Sequence, residues 1–139
     1  MRASNELATA FLKKSLPPFC GFRIKSFAPE THNRGVRTLN LFFENLLTKT
    51  KNRLPANFVV TLPKIVAPEQ VTTLVDAFEA LEPKLGLAAG SLKMEMMIET
   101  TQSIIAADGQ IAMPRLLDAA RGRCVAAHFG TYDYTASCS

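Results

Sequence analysis

Four charged residues and a histidine stand where short apolar segments end. Glu99 closes the run Lys93-Met94-Glu95-Met96-Met97-Ile98-Glu99, and Asp133 follows the run Cys124 to Phe129 after Gly130-Thr131-Tyr132. Arg23 and Lys64 end two earlier segments, in Phe22-Arg23-Ile24-Lys25 and Leu62-Pro63-Lys64. Adjacent strands lie about 5 Å apart, so carboxylates at neighbouring strand ends can share one hard cation. Such a pair, with waters and substrate oxygens completing the shell, suits Mg2+ or the similar Mn2+. Arginine holds a carboxylate through two parallel hydrogen bonds and lysine adds a point charge. Beside a metal, both would neutralise an oxyanion or enolate. Spacing alone leaves the alternative open: two unrelated loop carboxylates, one of them capping a helix.

Other candidates carry less. His128 lies on the row of Cys124 and Ala126, as a possible base or substrate contact, or simply as a histidine satisfied by its surroundings. Glu95 and Lys25 share the row of Glu99 and Arg23 and are expected to form a structural ion pair. Cys20, Cys124 and Cys138 are odd in number, lack metal-ligand spacing and have nothing near them that would activate a thiolate. The Met94, Met96 and Met97 cluster reads as core. A Ser-His-Asp triad is unsupported, because no G-x-S-x-G occurs.

These residues need elements to position them. Alternation in 93–99 puts Leu92, Met94, Met96 and Ile98 on one face of a strand and Lys93, Glu95, Met97 and Glu99 on the other. Phe19 to Phe27 splits the same way, with Phe22 and Ile24 opposed to Arg23 and Lys25. Further strands are predicted at Phe58–Leu62 and Cys124–Phe129. Helical spacing runs from about Asn5 to Lys14, Gly35 to Lys49, from Pro68 through Leu81, and Met113 to Ala120, with a short helix beginning at Ile104 and Ile105 and a turn at Asp108-Gly109. Pro17-Pro18 stops the first helix and Pro68 starts the third. No helix is expected after Gly130.

Helix and strand alternate, and three strand centres fall evenly at Ile24, Val60 and Met96, with the fourth near Ala126. That cadence belongs to βα units with crossover helices and a parallel sheet. A doubly wound sheet would have near-continuous apolar strands and usually a Gly-rich phosphate loop; neither G-x-G-x-x-G nor G-x-x-x-x-G-K-[ST] is found. Charges inside the strands favour the (β/α)8 TIM barrel, whose mouth holds catalytic groups. Four strands are half of one, so the expectation is an α/β chain in which residues 1–139 form a single partial barrel, cut from something longer at both ends.

Composition fits one small domain with a packed core. Of 139 residues 47% are hydrophobic, and 16 Lys+Arg against 12 Asp+Glu give a net charge of +4. The one basic run, Lys49-Thr50-Lys51-Asn52-Arg53, reads as a solvated helix end, so no nucleic acid partner is expected; a small anionic substrate suits the excess. No apolar run approaches the roughly 20 residues of a membrane span. Without a signal peptide or a disulfide framework, the cytoplasm is the expected compartment.

Met97-Ile98-Glu99-Thr100, followed by Gln102 and Ile104, resembles the "IET" strand of the HpcH/HpaI aldolase and citrate lyase beta-subunit family. Gly130-Thr131-Tyr132-Asp133 is similar to that family's "G-x-x-D" strand end. Phe22-Arg23-Ile24-Lys25 resembles its substrate-binding Arg strand, and Leu62-Pro63-Lys64 its "PK" strand end. The likeness spans about residues 19 to 138 and departs from the pattern in several places. Lys25 stands where Asn or another polar residue is usual, the stretch from His128 to Tyr132 is more aromatic, and the acidic motif of the family's second strand is missing. In the stretch from His128 to Tyr132 the sequence looks closer to an uncharacterised branch of the family. The resemblance implies the third to sixth strands of a TIM barrel and Mg2+ on Glu99 and Asp133. It further implies Arg23 and Lys64 as catalytic groups, with Arg23 and His128 touching substrate. The implied activity is carbon–carbon cleavage or aldol chemistry on a 2-oxo acid or CoA thioester, in a parent expected to be a homo-oligomer. The alternatives are phosphoenolpyruvate-type phosphoryl transfer, thioester hydrolysis, or an inactive half-barrel used for binding or assembly.

Overall fold

The computed structural model describes residues 2–138. Its elements run α1 (Arg2–Leu12), β1 (Cys20–Arg23), α2 (His32–Thr50), β2 (Phe58–Leu62), α3 (Pro68–Lys84), β3 (Lys93–Ile98), α4 (Met113–Ala119), β4 (Cys124–Phe129) and α5 (Thr131–Ser137). The strands form one parallel sheet in the order β1-β2-β3-β4. This is an α/β arrangement that matches part of a TIM-barrel-like fold. Among the described residues no helix is long and apolar enough to cross a membrane.

The outward row of the sheet meets the helices. Val60, Leu62, Met94, Met96 and Ile98 are buried against Leu39, Phe43 and Leu46 of α2, Val71, Leu74, Val75 and Phe78 of α3, and Leu116 of α4. Each such side chain contributes about 1.5–3 kcal/mol on burial. β1 is fixed by its aromatic: Phe22 stacks on Phe42 with centroids 3.7 Å apart, and Phe58 lies against both. The opposite row, with Gly21, Val59, Lys93, Glu95 and Ala126, lines an open trough of about 760 Å3.

Several elements differ from expectation, each for a local reason. β1 stops at Arg23 rather than near Phe27. Its ladder continues to a bond from the Ile24 N–H to the Thr61 carbonyl; the next parallel rung would need the N–H of residue 63, which Pro63 lacks. α1 begins and ends earlier than predicted, at Arg2 and Leu12. It is held to α2 by Asn45, whose amide donates to Ser4 Oγ and Asn5 Oδ1. Ile104 and Ile105 do not start a helix. A single 3-10 turn occupies Thr101–Ser103, and Ile105 then bridges Ile111 across the Asp108-Gly109 turn.

A helix does follow Gly130: α5, seven residues long, with Asp133 in its first turn. An acidic residue there is favoured by the exposed N–H groups of the first turn. β4 carries a bulge. Met94 pairs with Cys124 but Glu95 pairs with Ala126, so Val125 is an extra residue and the alternation resets. His128 therefore shares the inner face with Ala126 and Met97, while Cys124 packs on the core at the helix side.

At the opposite end of the sheet from Glu99, a buried ion pair ties α3 to the starts of β3 and β4. Arg123 donates to Glu82 through Nη1 at 2.7 Å and Nη2 at 3.0 Å. Glu82 also accepts the N–H groups of Gly90 and Leu92. Burial pushes the Glu82 carboxyl up, but the Arg123 fork and the two backbone donors outweigh it and hold the group below the usual glutamate range.

Candidate functional site

The site is built where the four strands end. β3 alternates with its neighbours, so Glu99 continues the inner row of Glu95 and Met97 one step past the strand. Its carboxylate is buried, at 2% exposure, and is held by fixed donors. Oε1 accepts from Arg23 Nη2 at 2.8 Å and from the backbone N–H of Lys64, also at 2.8 Å. Arg23 is the last residue of β1, and its other terminal nitrogen lies 2.9 Å from Met97 Sδ. The guanidinium is thereby turned toward the strand ends and away from Glu95, which lies in the same sheet layer.

Lys64 comes from a turn rather than a strand. With φ of 52° it adopts a left-handed conformation, uncommon for a residue with a side chain. This geometry aims its backbone N–H at Glu99 while its ammonium reaches Asp133 Oδ2 at 3.0 Å. Asp133 is half-exposed in α5. The Lys64 hydrogen bond, then one with Glu99, and the charges of Lys64 and Arg23 hold the Asp133 carboxyl below the usual aspartate range. Lys64 thus bonds both carboxylates, Glu99 through its N–H and Asp133 through its ammonium, and brings the two to one place. Like charges so placed repel unless a proton or a cation stands between them.

That observation is the test of fit for a divalent cation. Glu99 and Asp133 offer only oxygens, converge from two elements and have cations on their outer sides, which fits a hard ion completed by waters and substrate. Among the described residues no third His, Cys, Asp or Glu joins them.

Gly130 makes the convergence possible. A Cβ at that position would lie 2.6 Å from Glu99 Cβ and 2.8 Å from its Oε2. Its N–H donates to the Ile98 carbonyl at 2.9 Å, which pins the start of α5 over Glu99. Gly130→Ala is expected to cost about 1–3 kcal/mol through overpacking and to push the Glu99 carboxylate away from Asp133. Urea denaturation together with a divalent-cation titration reads both effects; unchanged cation affinity would show that the close approach is not needed.

Of the residues expected from sequence, Arg23, Lys64, Glu99 and Asp133 are brought together. His128 lies on the inner face of β4 in register with Met97, exposed, and its imidazole makes no hydrogen bond among the described residues. The Glu95–Lys25 pair does not form. Glu95 accepts instead from the Thr61 hydroxyl at 2.8 Å, while Lys25 lies beyond the end of β1, exposed and outside the trough. Sequence reading missed the Lys64 N–H, Met97 and Gly130 as parts of the site. Gly130 carried a signal as the glycine of Gly130-Thr131-Tyr132-Asp133, and Met97 carried one in the alternation that puts it on the face of Glu99.

Comparison with solved structures places the fold. Malate synthase of Haloferax volcanii, native at 3 mM glyoxylate, superposes with a TM-score of 0.71 at 17% identity, over 99% of this chain and 39% of that one. The same enzyme in a pyruvate/acetyl-CoA ternary complex gives a TM-score of 0.74 at 18% identity, over 99% of this chain and 36% of that one. The chain therefore spans well under half the length of these neighbours, and at such identity the likeness establishes fold alone. Among curated proteins no match is found. The aldolase and citrate lyase resemblance rests on the motifs that carry it. A family model described as a domain of unknown function, DUF6986, matches residues 1–139, and the chain belongs to that family.

Proposed function

We propose that this chain supplies the metal- and substrate-binding mouth of a Mg2+-dependent carbon–carbon lyase or aldolase acting on a 2-oxo acid or an acyl-CoA-type substrate. The observation that carries the reading is the meeting of Glu99 and Asp133, with Arg23 bonded to one and Lys64 to both. Glu99 and Asp133 would hold the ion, which when bound polarises a carbonyl and balances the charge that develops as the adjacent carbon–carbon bond breaks or forms. Arg23 is half-exposed and has five N–H donors. Donors not committed to Glu99 and Met97 remain to orient a substrate carboxylate. Lys64 places a second positive charge on the far side of Asp133, where it offsets negative charge on the bound substrate. His128 adds a substrate contact from β4.

The pyruvate/acetyl-CoA complex of the Haloferax volcanii neighbour supports pairing an oxo acid with a CoA thioester. Residues 1–139 are read as one partial barrel domain, contributing its third to sixth strands. Calorimetric titration of Mg2+ into the chain, with and without pyruvate, tests the reading. One ion per chain, bound more tightly with pyruvate present and removed by EDTA, is the expected result. No binding heat up to millimolar Mg2+ in either condition would reject it.

A further inference from the structure

Beside the carboxylate pair, on the β1–α2 side, lies a second pocket of about 510 Å3 to which the proposed reaction assigns no role. Arg23 and Lys64, which bond the carboxylates, line it together with Lys25, Ser26 and Thr31. Its charge is uneven. Arg23 is matched by Glu99 and Lys64 by Asp133, whereas Lys25 has no ion-pair partner among the described residues. No carboxylate lines the pocket.

The hydroxyls have a definite order. Thr31 Oγ1 donates to the Ser26 carbonyl at 2.7 Å, which fixes the loop after β1. Ser26 Oγ lies 3.0 Å from Thr31 Oγ1. With the Thr31 proton spent on the carbonyl, the Ser26 proton points to Thr31 and swings away by a simple rotation about its C–O bond. Lys25 with its unpaired ammonium, Ser26 with its rotatable hydroxyl and Lys64 thus line one space. All are donors, and an ammonium has no acceptor to offer.

We propose that this pocket binds an oxyanion group, a carboxylate or a phosphate, with Lys25 as its principal contact and Ser26 and Lys64 as partners. Because the pocket shares Arg23 and Lys64 with the carboxylate pair, the oxyanion is a second acidic group of the same ligand, and Lys25 selects ligands that carry one. This selection rests on the proposed function; the pocket itself does not.

Three calorimetric titrations on the full chain test it, each repeated with Lys25→Ala and Lys25→Arg. With Mg2+ present, 2-oxoglutarate is compared with 2-oxopentanoate, which has the same chain length but lacks the second carboxylate. Without metal, inorganic phosphate is titrated alone. One charge-assisted hydrogen bond is expected to change affinity about tenfold. Lys25→Ala should weaken 2-oxoglutarate or phosphate by that factor, Lys25→Arg should largely restore it, and 2-oxopentanoate should be unaffected. The tighter of the two responsive ligands identifies the group as carboxylate or phosphate. Phosphate binding that depends on Lys25, with neither oxo acid bound, keeps the pocket and removes the proposed reaction. If Lys25→Ala leaves both 2-oxoglutarate and phosphate unchanged, or weakens 2-oxopentanoate equally, the pocket assignment is overturned.

Discussion

Glu99→Gln should abolish divalent-cation binding while leaving the fold nearly intact. The amide carbonyl can still accept from Arg23 Nη2 and the Lys64 N–H, the two bonds that now hold Oε1. Its NH2 replaces Oε2 beside Gly130 and turns the oxygen proposed to hold the cation into a donor. Loss of an outer-shell partner costs roughly 10–100-fold in metal affinity, and loss of a ligating oxygen with its charge should exceed that. The structural cost is about 1 kcal/mol, the difference between a charge-assisted and a neutral hydrogen bond. Asp133→Asn should act in the same direction, because Asp133 is the other carboxylate of the pair. Calorimetry with Mg2+ reads the affinity and urea unfolding reads the fold. Equal Mg2+ affinity in wild type and Glu99→Gln would remove Glu99 from the metal site, and with it the proposed chemistry.

The second large effect lies at the other end of the sheet. Glu82→Ala leaves the buried Arg123 with only the half-exposed Glu79 carboxylate, 4.0 Å from Nη2, and breaking a buried pair from one side costs about 3–5 kcal/mol. For a domain of this size that lowers Tm by more than about 10 °C. Replacing both partners, with Glu82→Leu and Arg123→Met, should recover most of the loss, since the desolvation penalty disappears along with the attraction. The pair also predicts a pH profile. The Glu82 carboxyl is held below its unfolded value of about 4.3. Its contribution is therefore complete above that value and is lost as pH falls through the lowered folded one. Urea unfolding of wild type and the double variant across that range isolates the contribution. A single substitution costing less than about 1 kcal/mol would mean that Arg123 finds other partners.

The two ends of the sheet do different work. Arg123 and Glu82 are both buried and bond each other, with the Gly90 and Leu92 N–H groups on Glu82 and the Leu92 carbonyl on Arg123. At the strand ends, Arg23, Lys64 and Asp133 are each about half-exposed around a buried Glu99. A closed, self-satisfied pair stabilises; an open pair with spare donors and acceptors can take a ligand. Groups at the strand ends are also the ones that barrel folds place at their catalytic mouth.

Much of this was legible in one dimension. Alternation in Lys93–Glu99 decides which residues face the helices, because successive side chains on a strand must point to opposite sides. Regular alternation of helix and strand decides a parallel sheet, because a crossover helix returns each strand to the same direction. Arg23, Lys64, Glu99 and Asp133 stood out because each interrupts or ends an apolar run, and parallel strands bring such ends to one edge. What sequence could not decide depends on contacts between segments far apart in the chain. The Val125 bulge moves His128 off the row of Cys124, because register is set by pairing with β3 and not by β4 itself. Pro63 ends β1 from the neighbouring strand, and register sets Arg23 rather than Lys25 level with Glu95. Gly130 matters because Glu99 passes beneath it, and Glu82 meets Arg123 only once α3 and β4 have packed. Local pattern determined which face each side chain takes; only the packed sheet decided which of those side chains touch.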